Sequence, residues 1–260
     1  MSQQSAIYVD HMGTDKSVVN AARLSFGVGS VKPADEPLTK ADIGLINFLA
    51  FGLRTQERDD VILRIRGGFD PDCFEGSYEE AEKQALDLYQ QIRHQATHWT
   101  PFAHTSISVS MKAPIPIRTQ CFKHKQGFVE NEESRRYITC KPEIFIPEFR
   151  EKPEGSIKQG SGGAHPAAAY WQRQYIDQTQ RAVMLYEEML GDDIAPEQAR
   201  FVLPQGAMVN WLWTGNLFAF ANFYNKRVDP HAQGENQELA ELVRTIIEPL
   251  YPVSWKALTR

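Results

Sequence analysis

The sequence predicts an α+β protein, a single domain in which several helices surround a smaller antiparallel sheet. Three observations lead there. Several stretches carry apolar residues at helical spacing behind recognisable start signals. One stretch, Ser106 to Lys112 (SISVSMK), alternates cleanly and puts Ile107, Val109 and Met111 on one face of a strand. Helices and strands do not alternate as βαβ units, and no internal repeat is visible.

In chain order, Asp15 to Phe26 (DKSVVNAARLSF) predicts a short helix, with Thr14 or Asp15 as N-cap and Val18, Ala21, Ala22 and Leu24 apolar. A Gly- and Pro-bearing loop, GVGSVKPADEP, follows. Thr39 opens a second helix, Asp42 completes a capping box, and the apolar face runs from Ile43 to Leu53. Residues 54–76 are irregular, broken by Gly67-Gly68 and Asp70-Pro71. Ser77 and Glu80 mark another capping box at the head of a helix, EEAEKQALDLYQQIRH. Residues 113–123 are ambiguous, two prolines preceding an amphipathic stretch, and 136–149 mix strand and turn. KPEGSIKQGSGGAHP is a loop. Pro166 then opens a long helix to about Leu190, stopped by Gly191, and Pro196 opens a short one that ends before Pro204. Residues 206–226 and 234–248 read as two further helices.

With 260 residues, 42% of them hydrophobic and 23% charged, the chain has room for one substantial core. No apolar run approaches the roughly 20 residues of a membrane helix. The opening MSQQSAIYVDHMG lacks the basic start and hydrophobic centre of a secretion signal. Cys73, Cys121 and Cys140 form no CxxC pair and leave an odd thiol, which suits a reducing compartment. A cytoplasmic protein is expected. The net charge of -5 argues against a general nucleic-acid binder. The cations are clustered instead, which points to a small anionic ligand.

That cluster is Lys123-His124-Lys125 followed by Asn131-Glu132-Glu133-Ser134-Arg135-Arg136-Tyr137. Cations and a hydroxyl suit a phosphate, while amide and carboxylate groups suit the paired donors and acceptors of a pyrimidine. Other motifs carry less. His94 and His98 share a helical face, but Gln95 stands where a zinc hydrolase needs a glutamate base, so no metal site is expected. Gly27-Val28-Gly29 follows a helix rather than a strand and lacks a third glycine, so it is no dinucleotide fingerprint. Gln159-Gly160-Ser161-Gly162-Gly163 has no following Lys-Ser/Thr and is no P-loop. Cys121 sits two residues before Lys123, near enough for cations to activate a thiol, although a small buried thiol is the simpler reading. In the aromatic run WLWTGNLFAFANFYNKR, Asn216 and Asn222 need partners if buried, and Arg227 returns three turns later to nearly the face of Asn216. That mixture suggests the wall of a polar heteroaromatic ligand.

Together these pieces resemble the flavin-dependent thymidylate synthases, the family unrelated to the enzyme that uses a cysteine nucleophile. The resemblance runs in order through MGTDKSVVNAARLSFG, GLINFLA, HWTPFAHTSISVSMKAPIPIRTQCFKHK, NEESRRY, ARFVLPQGA and NLFAFANFYNKRVDPHAQGENQ. Its centre is a basic-His-basic triplet and Asn-Glu-x-Ser-x-Arg. The resemblance implies a thymidylate synthase-complementing type fold over residues 1–260. It implies FAD held by Thr100, Lys123, His124, Lys125, Glu132, Asn216, Phe218 and Asn222. It also implies a nucleotide held by Gln120, Lys123, Glu132, Glu133, Ser134, Arg135, Arg136, Arg200 and Arg227. Arg227 matches the residue that polarises the uracil. The family assembles as homotetramers whose sites combine residues of different subunits.

The implied activity is reductive methylation of dUMP to dTMP. The carbon comes from 5,10-methylenetetrahydrofolate and the electrons from NADPH through FAD. No Pro-Cys-His sequence is present for a thiol route, so a fixed guanidinium near O2 and N3 would drive electron density toward C5. Three departures stand out. Lysines flank His124 where many members carry arginines. One extra residue separates His124 from Asn131, with Phe128 where a serine is common, which leaves hydroxymethylation of another pyrimidine deoxynucleotide as the alternative. About forty residues at 54–96 look inserted.

Overall fold

A computed structural model describes residues 3–25, 27, 31–51, 53, 83, 98–153 and 160–259. The insert expected at about 54–96 and the helix expected after Ser77 lie outside the described residues, apart from Lys83. Among the described residues are eight α-helices and one four-stranded sheet with antiparallel pairing, so the α+β expectation holds. No helix among them is long and apolar enough to cross a membrane. Internal contacts divide the chain into two compact units.

The first unit comprises Met1–His11, Ile107–Gly215 and Lys226–Ile246. Its sheet runs β1 (Ser5–Met12), β2 (Ser106–Pro114), β4 (Met208–Gly215), β3 (Phe128–Glu132). On β2 the expected alternation is present: Ile107, Val109, Met111 and Ala113 are fully buried. Val109 and Met111 lie opposite Trp213 and Trp211 of β4, and side chains of directly opposed residues share a face. Glu130 and Glu132 lie opposite the same tryptophans from the other side, on edge strand β3. Two carboxylates on the covered face of an edge strand also discourage edge-to-edge pairing.

Residues 208–215 correct the sequence reading, which placed them in a helix over 206–226. MVNWLWTG alternates with period two, burying Trp211 and Trp213 and exposing Asn210 and Leu212. The helix begins only at Leu217. Gly215 allows the change of direction at close quarters: a Cβ there would come within 2.4 Å of the Phe128 ring. That ring stacks on Trp213 at 4.2 Å.

The ambiguous stretch after β2 resolves as helix α3 (Ile115–Cys121), begun by a proline in its first turn. Helix α4 (Ala168–Gly191) matches its expected span and buries Thr179, Val183 and Tyr186, an i, i+4, i+7 stripe. It is tied to the segment before it: the hydroxyls of Tyr175 and Tyr186 donate to the carbonyls of Phe145 and Ile138. A one-turn helix, α5 (Pro196–Ala199), continues as a 3-10 turn, Arg200–Val202.

The second unit comprises Met12–Ser106, Asn216–Asn225 and Ile247–Arg260. Helices α1 (Asp15–Ser25) and α2 (Lys40–Phe51) sit as expected. The Thr39–Asp42 capping box forms reciprocally, at 2.9 and 3.2 Å. Asp42 is fully buried and also takes Lys16 and Arg23. Burial opposes its charge, but the Thr39 and Lys16 hydrogen bonds hold its carboxyl below the usual range. Thr14 caps α1 by accepting from the Lys16 N–H. Asp15 instead accepts from Val253 and Ser254 at the start of the C-terminal helix α8 (Pro252–Leu258), a helix absent from the sequence reading. Helix α6 (Leu217–Arg227) carries its body in this unit and its last two residues in the first. Helix α7 (Gly234–Leu250) divides in the opposite sense.

Candidate active site

The half-buried guanidinium of Arg227, at the end of α6, is held by three hydrogen bonds. Its Nε donates to His124 Nε2 at 3.0 Å. Its Nη1 donates to Gln120 Oε1 at 3.3 Å and its Nη2 to the Gln120 carbonyl at 3.0 Å. That carbonyl belongs to the last turn of α3, where a cation is favoured. A guanidinium has five N–H donors, so two remain uncommitted among the described residues. Burial lowers the Arg227 pKa, but from so high a value that the group stays charged.

The acceptors around it are neutral. Burial, then the charges of Arg227 and Lys226, push the His124 imidazole down to about 4. At neutral pH its Nε2 is therefore a lone-pair acceptor, and the ring proton sits on Nδ1. The basic-His-basic triplet thus holds two cations and a neutral imidazole, and Arg227 is oriented without being neutralised.

Glu132 Oε2, on β3, lies 2.8 Å from Arg118 Nε of α3 without hydrogen-bond alignment. Burial raises the Glu132 pKa, with Arg118 opposing and Glu133 reinforcing the shift. Arg118 and Lys125 both lie over the Phe122 ring, at 5.2 and 5.4 Å. Lys125 also pairs with Glu130. Lys123 is exposed, and no acceptor among the described residues holds it. Cys121 is fully buried, and burial pushes its thiol up to about 12, so the structure favours the simple buried-thiol reading. Cys140 is exposed, and Cys73 lies outside the described residues.

Ser134, Arg135 and Arg136 form a turn that follows β3. The Ser134 Oγ accepts from the Arg136 N–H, and Arg135 donates to the Cys140 carbonyl. Glu133 is anchored to Asn210 through both backbone and side chain. Arg136 pairs with Glu197 at 3.3 Å, and Arg200 donates to the Glu197 carbonyl at 3.2 Å. Glu197 thus gathers two predicted nucleotide residues that lie far apart in sequence. Sequence reasoning passed over it and over Arg118; the only local hint was the placement of Glu197 one helical turn before Arg200.

In the second unit Thr100 is exposed at the head of a 3-10 turn, Thr100–Ala103. Phe218 faces Trp99 at 5.8 Å, and the side-chain amide of the half-buried Asn222 has no hydrogen-bond partner among the described residues. Asn216 departs from the sequence reading of a mid-helix amide. It is the N-cap of α6, its Oδ1 accepting from Ala219 at 2.9 Å, because the strand persists to Gly215. His98 stacks on Phe48, while His94, Val28 and Gly29 lie outside the described residues. An apolar cavity of about 350 Å³ beside Ile146, Val183 and Met184 contains no predicted site residue.

The chain is similar to known proteins over most of its length. A flavin-dependent thymidylate synthase of Thermosipho africanus is 27% identical over 256 residues, covering 97% of this chain and 89% of that protein. One of Thermus thermophilus is 28% identical over 252 residues, covering 96% and 73%. The UMP/dUMP methylase PolB of Streptomyces cacaoi, solved with 5-Br dUMP, shares the fold with a TM-score of 0.71 at 24% identity, covering 99% and 95% of the two chains. The sequence pattern of one family, described as thymidylate synthase complementing protein, matches residues 8–253, and the chain belongs to that family.

Proposed function

We propose that this protein is a flavin-dependent thymidylate synthase that methylates dUMP to dTMP. It takes carbon from 5,10-methylenetetrahydrofolate and electrons from NADPH through FAD, in the cytoplasm and as a homotetramer. In this reading residues 1–260 form one domain carrying an insert at about 54–96. One observation carries the chemistry: Arg227 is clamped by three hydrogen bonds that it donates to neutral acceptors, and it keeps two N–H donors uncommitted.

The residues present suit FAD. The open Lys123 ammonium and the exposed Thr100 hydroxyl match a diphosphate. The unpartnered Asn222 amide and the Phe218 ring match a planar heteroaromatic with several polar edges. His124, Lys125, Glu132 and Asn216 complete the proposed flavin set. When bound, FAD supplies hydride chemistry that no side chain can.

The chain's own residues do the rest. Arg227 binds the pyrimidine through its two remaining donors and favours loss of the N3 proton, which loads electron density onto C5. Gln120 belongs to the same nucleotide set and holds the guanidinium through both its side-chain and backbone oxygens. Ser134, Arg136 and Arg200 hold the phosphate, with Lys123, Glu132, Glu133 and Arg135 framing the nucleotide. No thiol is required, and the one beside Arg227 is buried and protonated.

The hydroxymethylation alternative drew on the altered spacing around Phe128. That residue is buried in the sheet, directly after Gly127 at a φ of 76°. The change is one of scaffold, which favours methylation. The test is to purify the protein, record its absorption spectrum and bleach it anaerobically with NADPH. It is then supplied with methylenetetrahydrofolate and either dUMP or UMP, with mass spectrometry of products. A yellow protein that yields dTMP is expected; a colourless protein that cannot be reconstituted with FAD would overturn the proposal.

A further inference from the structure

Gln233 lies just ahead of α7 and in none of the residue sets assigned above to flavin or nucleotide. Its backbone is fixed, because its carbonyl accepts from the N–H groups of Asn236 and Gln237 at 2.8 and 3.1 Å and so opens the helix. The first turn of α7 is itself pinned. Arg150 Nη2 donates to both carboxylate oxygens of the buried Glu235, at 2.6 and 2.7 Å. Gln4 donates to the Glu235 carbonyl at 2.9 Å. From this firm base Gln233 Oε1 accepts from Gln120 Nε2 at 2.8 Å.

A primary amide has one accepting end and one donating end. With the donating end of Gln120 committed to Gln233, the accepting end is turned toward Arg227 Nη1. The reversed amide would set N–H against N–H at a charged guanidinium. Loss of the Gln233 acceptor leaves the amide held at its accepting end alone, by the guanidinium it should orient. We infer that Gln233 is a positioning residue for Arg227: it anchors the donating end of the Gln120 amide, and so fixes where the amide oxygen sits against the guanidinium and where the two uncommitted N–H donors point. This rests on the reading of Arg227 as the group that holds the pyrimidine.

The test measures dUMP affinity of the FAD-loaded protein by calorimetry, together with kcat and KM for dUMP, in Gln233→Leu, Gln233→Glu and Arg227→Ala and in the Leu variant combined with Arg227→Ala. The leucine lacks an acceptor, while the glutamate keeps one. Gln233 is exposed, so its own variants should fold, and the melting temperature and flavin content check the fold of all four. Gln233→Leu is expected to weaken dUMP binding about tenfold and to lower kcat. Gln233→Glu should remain within about threefold of the unaltered protein. Once Arg227 is absent, Gln233→Leu should have no further effect on dUMP binding. An equal loss in the Leu and Glu variants, or an undiminished loss without Arg227, would overturn the inference. If Arg227→Ala binds and converts dUMP normally, the reading of Arg227 fails instead; if Arg227→Ala is impaired while Gln233→Leu is silent, only the role of Gln233 fails.

Discussion

Two cationic regions of the first unit are built on opposite plans. Arg227 is half-buried and held by a neutral imidazole and an amide, with no carboxylate among its hydrogen-bond partners. Arg136 is about half exposed and is paired with a carboxylate, Glu197, which also receives Arg200 on its backbone. A guanidinium fixed by neutral acceptors keeps its whole charge for a ligand and needs no rearrangement when one arrives. A guanidinium on a surface carboxylate is already partly screened and must exchange partners to take a phosphate. The first plan suits stabilising charge that develops during reaction, and the second suits reversible docking of an anion.

The largest expected effect comes from breaking the first plan. Arg227→Ala should lower kcat by about 100-fold or more, in the range seen when a fixed donor to developing charge is removed. Flavin content should be unchanged, because the flavin is assigned to other residues. Arg227→Lys should restore little, since a single ammonium cannot satisfy His124 Nε2 and two Gln120 oxygens and still reach the ring. Steady-state kinetics with absorbance at the flavin bands checks both. Turnover close to that of the unaltered protein would place the charge chemistry elsewhere.

The neutrality of His124 gives the next effect. Its pKa in the fold is about 4, below the ordinary 6.5. Between those values the unfolded chain binds more protons than the folded one. The contribution to stability is therefore complete above about pH 6.5 and is lost as pH falls through the window to about 4. Partial exposure screens the shift, leaving about 1–2 kcal/mol. Denaturant midpoints at neutral pH and near pH 4.5 should differ accordingly, and His124→Asn should flatten the difference. An identical slope in that variant would mean that other groups dominate.

Cys121 sharpens the comparison from the side of covalent chemistry. Cys121→Ala should cost about 1 kcal/mol of stability for the small cavity left beneath α3, and should leave turnover unchanged. Trapping a nucleotide on the thiol, or loss of turnover in a folded variant, would contradict a purely electrostatic role for this region.

The fold was legible wherever the signal was local. The Thr39–Asp42 capping box, the alternation of β2 and the span of α4 each depend on residues within a few turns of one another. Strand β4 was not legible, because WLWTG runs without a break into the aromatic α6 and its period of two is too brief to stand out. The change falls at Asn216, read as a mid-helix amide but in fact a cap. Strand β1 was missed because Ile7, Tyr8 and Val9 are all exposed, so no inward face marks it. For the site, resemblance supplied the residue identities, and the spacing from Asn216 to Arg227 hinted at a shared helix. The bonds from Arg227 to His124 and Gln120 join residues more than a hundred positions apart, and no sequence window contains them.

The smallest effect tests the second plan by itself. In Glu197→Gln the Arg136 guanidinium loses a charged competitor, while the Glu197 carbonyl that receives Arg200 remains. Exposed ion pairs of this kind contribute about 0.2–1 kcal/mol, so dUMP should bind up to about fivefold more tightly. The gain should appear in KM rather than in kcat, because docking is altered and polarisation of the ring is not. It should also shrink as salt is raised. If Glu197→Gln instead weakens dUMP binding, the carboxylate holds Arg136 in place for the phosphate, and the two regions differ in exposure but not in plan.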